Sequence, residues 1–94
     1  MTPEGLVKKK IKDILHAKGA YFTMPIGTGY GSAGVPDFVI CYKGRFVGVE
    51  AKANGNKPTA LQEKHMSAIR GQGGLTLVVD ETNIDELTRL LEQL

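Results

Sequence analysis

Three charged residues stand at the ends of two neighbouring predicted strands. Asp37 opens the first strand directly after Pro36, and Glu50 and Lys52 lie near the end of the second. Side chains alternate along a strand, so Glu50 and Lys52 share one face. Only Lys43-Gly44 separates the two strands, which is typical of a β-hairpin turn. The hairpin predicts that Asp37 lies roughly opposite Glu50.

The closeness of the Asp37 and Glu50 carboxylates predicts a bound cation. Two carboxylates so close repel, and one of them stays protonated unless a cation lies between them. Oxygen ligands alone favour Mg²⁺ or Mn²⁺, and Asp37, Glu50 and the backbone carbonyl of Ala51 could supply them. Lys52 could orient or deprotonate a water and offset charge in the transition state of phosphodiester hydrolysis. Spacing alone fits equally well a turn aspartate and a surface Glu/Lys strand end.

Caps, glycines and hydrophobic periodicity give the elements that must position these residues. The predicted elements are a helix from Thr2-Pro3 to Gly19, strands Ala20 to Pro25, Pro36 to Tyr42 and Arg45 to Lys52, a helix from Thr59 to about Arg70, a strand Leu75 to Val79 and a helix capped by Asn83. A helix between two strands suggests a parallel crossover. We therefore expect one α/β domain over residues 1–94, with a mixed sheet flanked by helices in the order α-β-β-β-α-β-α.

Pro36-Asp37 followed by Glu50-Ala51-Lys52 resembles the PD-(D/E)xK signature of restriction-endonuclease-like nucleases. The fuller pattern, Gly34-Val-Pro-Asp-Phe38 with Gly48-Val-Glu-Ala-Lys52 and Gln62, resembles the VRR-NUC family, particularly its compact stand-alone members common in phages. The resemblance runs from about Gly29 to His65. It implies a restriction-endonuclease-like fold and a metal-dependent deoxyribonuclease.

The resemblance also implies a role for each residue of the motif. Asp37 and Glu50 would bind the metal ion, Ala51 would lend its carbonyl, Lys52 would be the catalytic lysine, and Gln62 would position the attacking water or a phosphate. Glu4, from the first helix, would be a further metal ligand.

Several of these residues have a simpler interpretation. Gln62 also completes a capping box with Thr59, and Glu4 also complements the dipole of the first helix. His65, one turn beyond Gln62, is either a phosphate contact or a helical histidine without a chemical role. His16 has no partner that the sequence identifies.

Compact stand-alone VRR-NUC proteins are associated with cutting branched DNA, including four-way (Holliday) junctions. Two symmetric cuts need two active sites, so a twofold homodimer is expected. The stripe of the last helix either forms the dimer seam or covers the sheet; it comprises Ile84, Leu87, Leu90, Leu91 and Leu94. The rival functions are a nuclease of flaps or DNA ends, a non-catalytic DNA-binding module, and a structural dimer built on the last helix.

Composition limits the other possibilities. The 94 residues are 41% hydrophobic and 23% charged, as in an ordinary globular domain. The apolar runs Phe38 to Tyr42 and Leu75 to Val79 are far shorter than the roughly 18 residues of a membrane span. No stretch resembles a signal peptide, so we expect a cytoplasmic protein of a bacterium or a phage-infected host. Cys41 is the only cysteine, which excludes an internal disulfide and a cysteine-based zinc site, and its apolar run predicts that it is buried.

Charge is unevenly distributed along the chain. Residues 1–58 carry nine Lys/Arg against four Asp/Glu, whereas residues 59–94 carry three against six. The basic half suggests DNA as the partner, although a solvated helix face explains the lysines equally well. The candidates for backbone contacts are Lys8, Lys9, Lys10, Lys12 and Lys57, with Tyr30 and Ser32 in the glycine loop. Gly29, Gly31 and Gly34 have the G-x-G-x-x-G spacing, but without a Gly-Lys-Ser/Thr loop we expect no nucleotide cofactor.

Overall fold

The computed structural model describes residues 1–26 and 33–94. The predictions made for Gly29, Tyr30, Gly31 and Ser32 lie outside these residues. The helices are α1 (Pro3–Lys18), α2 (Ala60–Gly71) and α3 (Ile84–Glu92), and the strands are β1 (Tyr21–Thr23), β2 (Phe38–Tyr42), β3 (Arg45–Ala51) and β4 (Leu75–Val79). The order α-β-β-β-α-β-α confirms the prediction.

The four strands form one mixed sheet in the order β1-β2-β3-β4. The first two pairings are antiparallel, and β3 pairs with β4 in parallel through the α2 crossover. Phe38 lies opposite Val49 at the end of the β2–β3 ladder. One step further along this register, Asp37 faces Glu50 as the hairpin predicted, although Asp37 precedes β2 and Lys52 follows β3.

The hydrophobic core lies between one face of the sheet and the helices α1 and α3. It is built from Val7, Ile11, Leu15, Phe38, Ile40, Val47, Val49, Ala51, Val79, Leu87 and Leu91, all at most 2% exposed. Ile84, Leu90 and Leu94 pack against this cluster. The stripe of α3 therefore covers the sheet, which is one of its two predicted uses. A dimer on this helix stays a prediction.

The helix α2 packs on the opposite face of the sheet, where two glycines permit close contacts. A Cβ atom at Gly48 would lie 2.9 Å from Ile69 Cδ1 and 3.2 Å from Pro36 Cγ. A Cβ atom at Gly34, whose φ is +87°, would lie 2.8 Å from the backbone of Leu61. These contacts place Pro36 against Gly48 of β3 and Gly34 against the first turn of α2, and Asp37 follows Pro36 directly.

Two local predictions were wrong. Asn83 precedes α3 but its side chain does not cap the helix; its amide donates to the carbonyl of Val78 and accepts from the N–H of Asp80. Cys41 is exposed, because its side chain lies on the face of β2 opposite the core. In the strand register it stands across from Tyr21 of β1 and Phe46 of β3. The strand β4 contacts α2 and α3 but is only partly buried, since it lies at the edge of the sheet. In the part of the chain that the structure describes, no helix has the length and apolar character of a membrane span.

Candidate functional site

The candidate site lies where the β2–β3 ladder ends. Oδ2 of Asp37 accepts a hydrogen bond from the backbone N–H of Ala51 at 2.9 Å. The N–H of Lys52 points to the other edge of β3, where it donates to the carbonyl of Val79 at 2.9 Å. Because the N–H and C=O of a strand residue point to the same edge, the carbonyl of Ala51 faces the side of Asp37. Asp37 and this carbonyl thus lie together past the last backbone pair.

Glu50 is a buried carboxyl without its full complement of partners. It is 1% exposed, and its Oε2 has no hydrogen-bond partner among residues 1–26 and 33–94. Burial, followed by hydrogen bonding to Asp37 and repulsion by its charge, raises the pKa of Glu50 to about 9. In the absence of a metal ion, Glu50 is therefore a neutral acid at physiological pH.

Helix α1 contributes one acidic residue, Glu4, and one basic residue, Lys8, to the site. Nζ of Lys8 lies 3.5 Å from Oε2 of Glu4 and 3.7 Å from Oδ1 of Asp37. The charge of Glu4 also contributes to raising the pKa of Glu50. The sequence pointed to Glu4 but assigned Lys8 only to DNA contact. The i,i+4 spacing of Glu4 and Lys8 predicts their pairing, but nothing in the sequence places Lys8 beside Asp37.

Lys52 lies beside Glu50 with its ammonium unpaired. Its positive charge lowers the pKa of Glu50, against the larger effects that raise it. Lys52 is half-buried and takes part in none of the ion pairs of the described ranges. The ammonium is thus available to a water molecule or a phosphate oxygen.

The two remaining candidates, Gln62 and His65, lie on α2 and make no hydrogen bond or ion pair with Asp37, Glu50 or Lys52 within the described residues. Oε1 of Gln62 accepts from the N–H of Thr59 at 2.9 Å, and the Thr59 hydroxyl accepts from the N–H of Gln62 at 3.2 Å. The predicted capping box is therefore present, and only the Nε2 donor of Gln62 is left for a site contact. His65 lines two adjoining grooves of about 440 and 410 Å³, the first of them walled by Phe46 and Ile69.

His16 has an aromatic partner that the sequence did not identify. Its ring lies edge-on to Phe22, with the ring centroids 5.1 Å apart. The ring centroid of Phe22 in turn lies 6.1 Å from that of Phe38 in the core. This contact gives His16 a packing role at the end of α1.

The donor set suits a small divalent cation. Glu4, Asp37, Glu50 and the carbonyl of Ala51 offer only oxygen atoms, which Mg²⁺ and Mn²⁺ prefer. The unpartnered Oε2 of Glu50 is the atom that such an ion would satisfy. Within the described ranges, no group of three or more His, Cys, Asp or Glu side chains has the arrangement of a preformed metal centre. The ammonium of Lys8 lies near two carboxylates of this set, those of Glu4 and Asp37.

Comparison with known proteins identifies the fold. A solved structure described as a VRR_NUC domain matches this chain with a TM-score of 0.76. The two sequences are 24% identical, and the match covers 95% of this chain and 97% of the other. No protein-family model and no curated protein matches the chain. The chain therefore has the fold of a VRR_NUC domain, as the motif resemblance predicted.

Proposed function

We propose that this chain, which has the fold of a VRR_NUC domain, is a divalent-metal-dependent DNA endonuclease of the VRR-NUC family. The observation that carries the proposal is the buried Glu50 carboxyl, whose Oε2 has no hydrogen-bond partner in residues 1–26 and 33–94 while Asp37 lies beside it. An acid in this position does not serve stability, because a buried carboxyl with an oxygen left unpaired opposes folding. A cation bound during function accounts for it.

Each residue of the site has a task in phosphodiester hydrolysis. Asp37, Glu50 and the carbonyl of Ala51 would hold Mg²⁺ or Mn²⁺, with Glu4 as a further ligand. The ion supplies Lewis acidity to a phosphate oxygen and lowers the pKa of a bound water. Lys52 holds the attacking water and offsets the negative charge that accumulates on the phosphorus-bound oxygens. Gln62, whose Nε2 donor is not used by the capping box, would position a phosphate or that water.

The surface around the site favours a polyanionic substrate. Lys12 is exposed on α1 one turn beyond Lys8, and Lys57 is exposed after β3, so each can contact a phosphate of DNA. Lys10 is exposed on another side of α1. We assign branched DNA, including four-way junctions, as the preferred substrate, with a homodimer making two symmetric cuts. Flaps and DNA ends are the alternative substrates of the same chemistry.

A cleavage assay tests the proposal. Labelled four-way junction, flap and linear duplex would be incubated with the protein in Mg²⁺, Mn²⁺ or EDTA, alongside the variant Asp37→Asn. We expect cleavage in either metal, fastest on the junction, and none in EDTA or with the variant. Equal cleavage by Asp37→Asn would refute the site. Binding without cleavage in any metal would instead identify a DNA-binding module, and sedimentation of the free protein would show whether it is a dimer.

A further inference from the structure

We infer that Lys8 is a built-in counter-ion that occupies the cation position of the metal-free protein and is displaced when a divalent metal ion binds. The inference rests on the proposed function, since it concerns the same metal site. It assigns to Lys8 a positioning role that differs from contact with DNA. Lys8 would keep the acidic site assembled until the metal ion arrives.

The geometry places the ammonium of Lys8 between acids from two distant parts of the chain. Its Nζ lies 3.5 Å from Glu4 within α1 and 3.7 Å from Asp37, which leads into β2. The Lys8 side chain is 32% exposed and that of Asp37 is 23% exposed, so solvent screens the second pair only in part. Lys8 thus offsets part of the negative charge of Glu4 and Asp37, the two acids of the site other than Glu50.

The contacts of Lys8 are suited to replacement. Both Nζ–O distances exceed the roughly 2.7 to 3.2 Å of a formed N–H···O hydrogen bond, so the attraction is mainly electrostatic. The flexible lysine stem can carry the ammonium outward without moving the backbone of α1. A divalent ion brings twice the charge, and it can also bind Oε2 of Glu50, which Lys8 leaves without a partner.

Binding of Mn²⁺, measured by isothermal titration calorimetry, tests the inference. Removal of the competing ammonium in Lys8→Met is expected to tighten Mn²⁺ binding about three- to fivefold, the upper part of the range for one partly exposed ion pair. Lys8→Arg, which keeps the charge, should bind Mn²⁺ like the wild type. Lys9→Met is the matched control, because Lys9 is the next residue of α1 but pairs with Asp13 at 3.1 Å on the exposed surface. Its Mn²⁺ affinity should stay within about twofold of the wild type.

Thermal unfolding distinguishes displacement from simple repulsion. Without metal, Lys8→Met should unfold at a lower temperature than the wild type, because Glu4 and Asp37 lose their shared counter-ion. With saturating Mn²⁺ this deficit should disappear, whereas any deficit of Lys9→Met should persist. A second variant, Lys8→Gln, repeats the test if Lys8→Met does not fold.

The outcomes separate the inference from the function on which it rests. A wild-type protein that binds no Mn²⁺ would refute the proposed function. A wild-type protein that binds Mn²⁺, with Lys8→Met binding it equally or more weakly, would refute the role of Lys8 alone. Tighter binding by Lys8→Met with an unchanged Lys9→Met would support it.

Discussion

Replacement of Lys52 by methionine is expected to slow metal-dependent DNA cleavage about a hundred- to a thousandfold, the effect of removing one preorganised electrostatic group. Lys52 follows β3 directly, and its backbone N–H is fixed to the carbonyl of Val79. Methionine keeps most of the aliphatic stem but cannot hold a water or stabilise charge. The fold should be retained, because the ammonium of Lys52 enters none of the ion pairs found in residues 1–26 and 33–94.

Single-turnover cleavage at saturating protein and Mg²⁺ isolates this effect from DNA affinity. Lys57→Met is the control: Lys57 is exposed beyond β3, so its loss should weaken binding and reduce the salt dependence while leaving the saturated rate within about threefold. Lys52→Arg should not restore the rate, since guanidinium differs from ammonium in geometry and cannot give up its proton. A rate for Lys52→Met within threefold of the wild type would remove Lys52 from the mechanism.

The second large effect concerns stability. Glu50→Gln is expected to raise the free energy of unfolding of the metal-free protein at pH 8 by about 1 to 3 kcal/mol. The pKa of Glu50 rises from 4.5 to about 9 on folding, chiefly through burial. At pH 8 the unfolded chain carries an ionised Glu50, so folding must take up a proton. Glutamine has the shape of the protonated acid and avoids this cost.

The direction of this stability difference follows from its dependence on pH. Below about 4.5 Glu50 is protonated in both states, and the wild type should be as stable as the variant. As the pH rises from about 4.5 to about 9, the wild type should lose stability relative to Glu50→Gln. Urea denaturation in EDTA at pH 4.5 and pH 8 measures the difference. Glu63→Gln, an exposed substitution on α2, should stay within about 0.5 kcal/mol of the wild type at both values.

Addition of metal should make the wild type more stable than Glu50→Gln, the reverse of their order in EDTA at pH 8. Saturating Mn²⁺ binds the folded wild type and stabilises it by mass action, whereas Glu50→Gln has lost a ligand and should gain little. A Glu50→Gln variant that is less stable than the wild type in EDTA at pH 8 would contradict the account of Glu50 as an acid kept for function.

Local rules of strand geometry were sufficient to predict the centre of the site. The two-residue turn at Lys43-Gly44 and the alternation of side chains put Asp37 opposite Glu50, and the register of Phe38 with Val49 agrees. The range of β4 was predicted from its apolar run alone. These features depend on neighbours in the sequence or on one hairpin, which is why sequence patterns capture them.

Features that depend on packing between distant elements were not predicted. The approach of Lys8 to Asp37 requires the position of α1 relative to the start of β2. The exposure of Cys41 depends on which part of the sheet lacks a covering helix, and an apolar run does not reveal that. The side chain of Asn83 bonds to the end of β4 instead of capping α3, because tertiary partners compete with the local cap.

The most direct test of the central claim is the number of protons released when Mn²⁺ binds. If Asp37 and Glu50 share the ion, Glu50 must give up the proton that burial and Asp37 make it hold in the metal-free protein. Calorimetric titrations at pH 7.5 in two buffers of different ionisation enthalpy should show about one proton released per Mn²⁺ ion. The Asp37→Asn variant should bind Mn²⁺ weakly or not at all. Mn²⁺ binding without proton release, or undiminished binding by Asp37→Asn, would contradict the account.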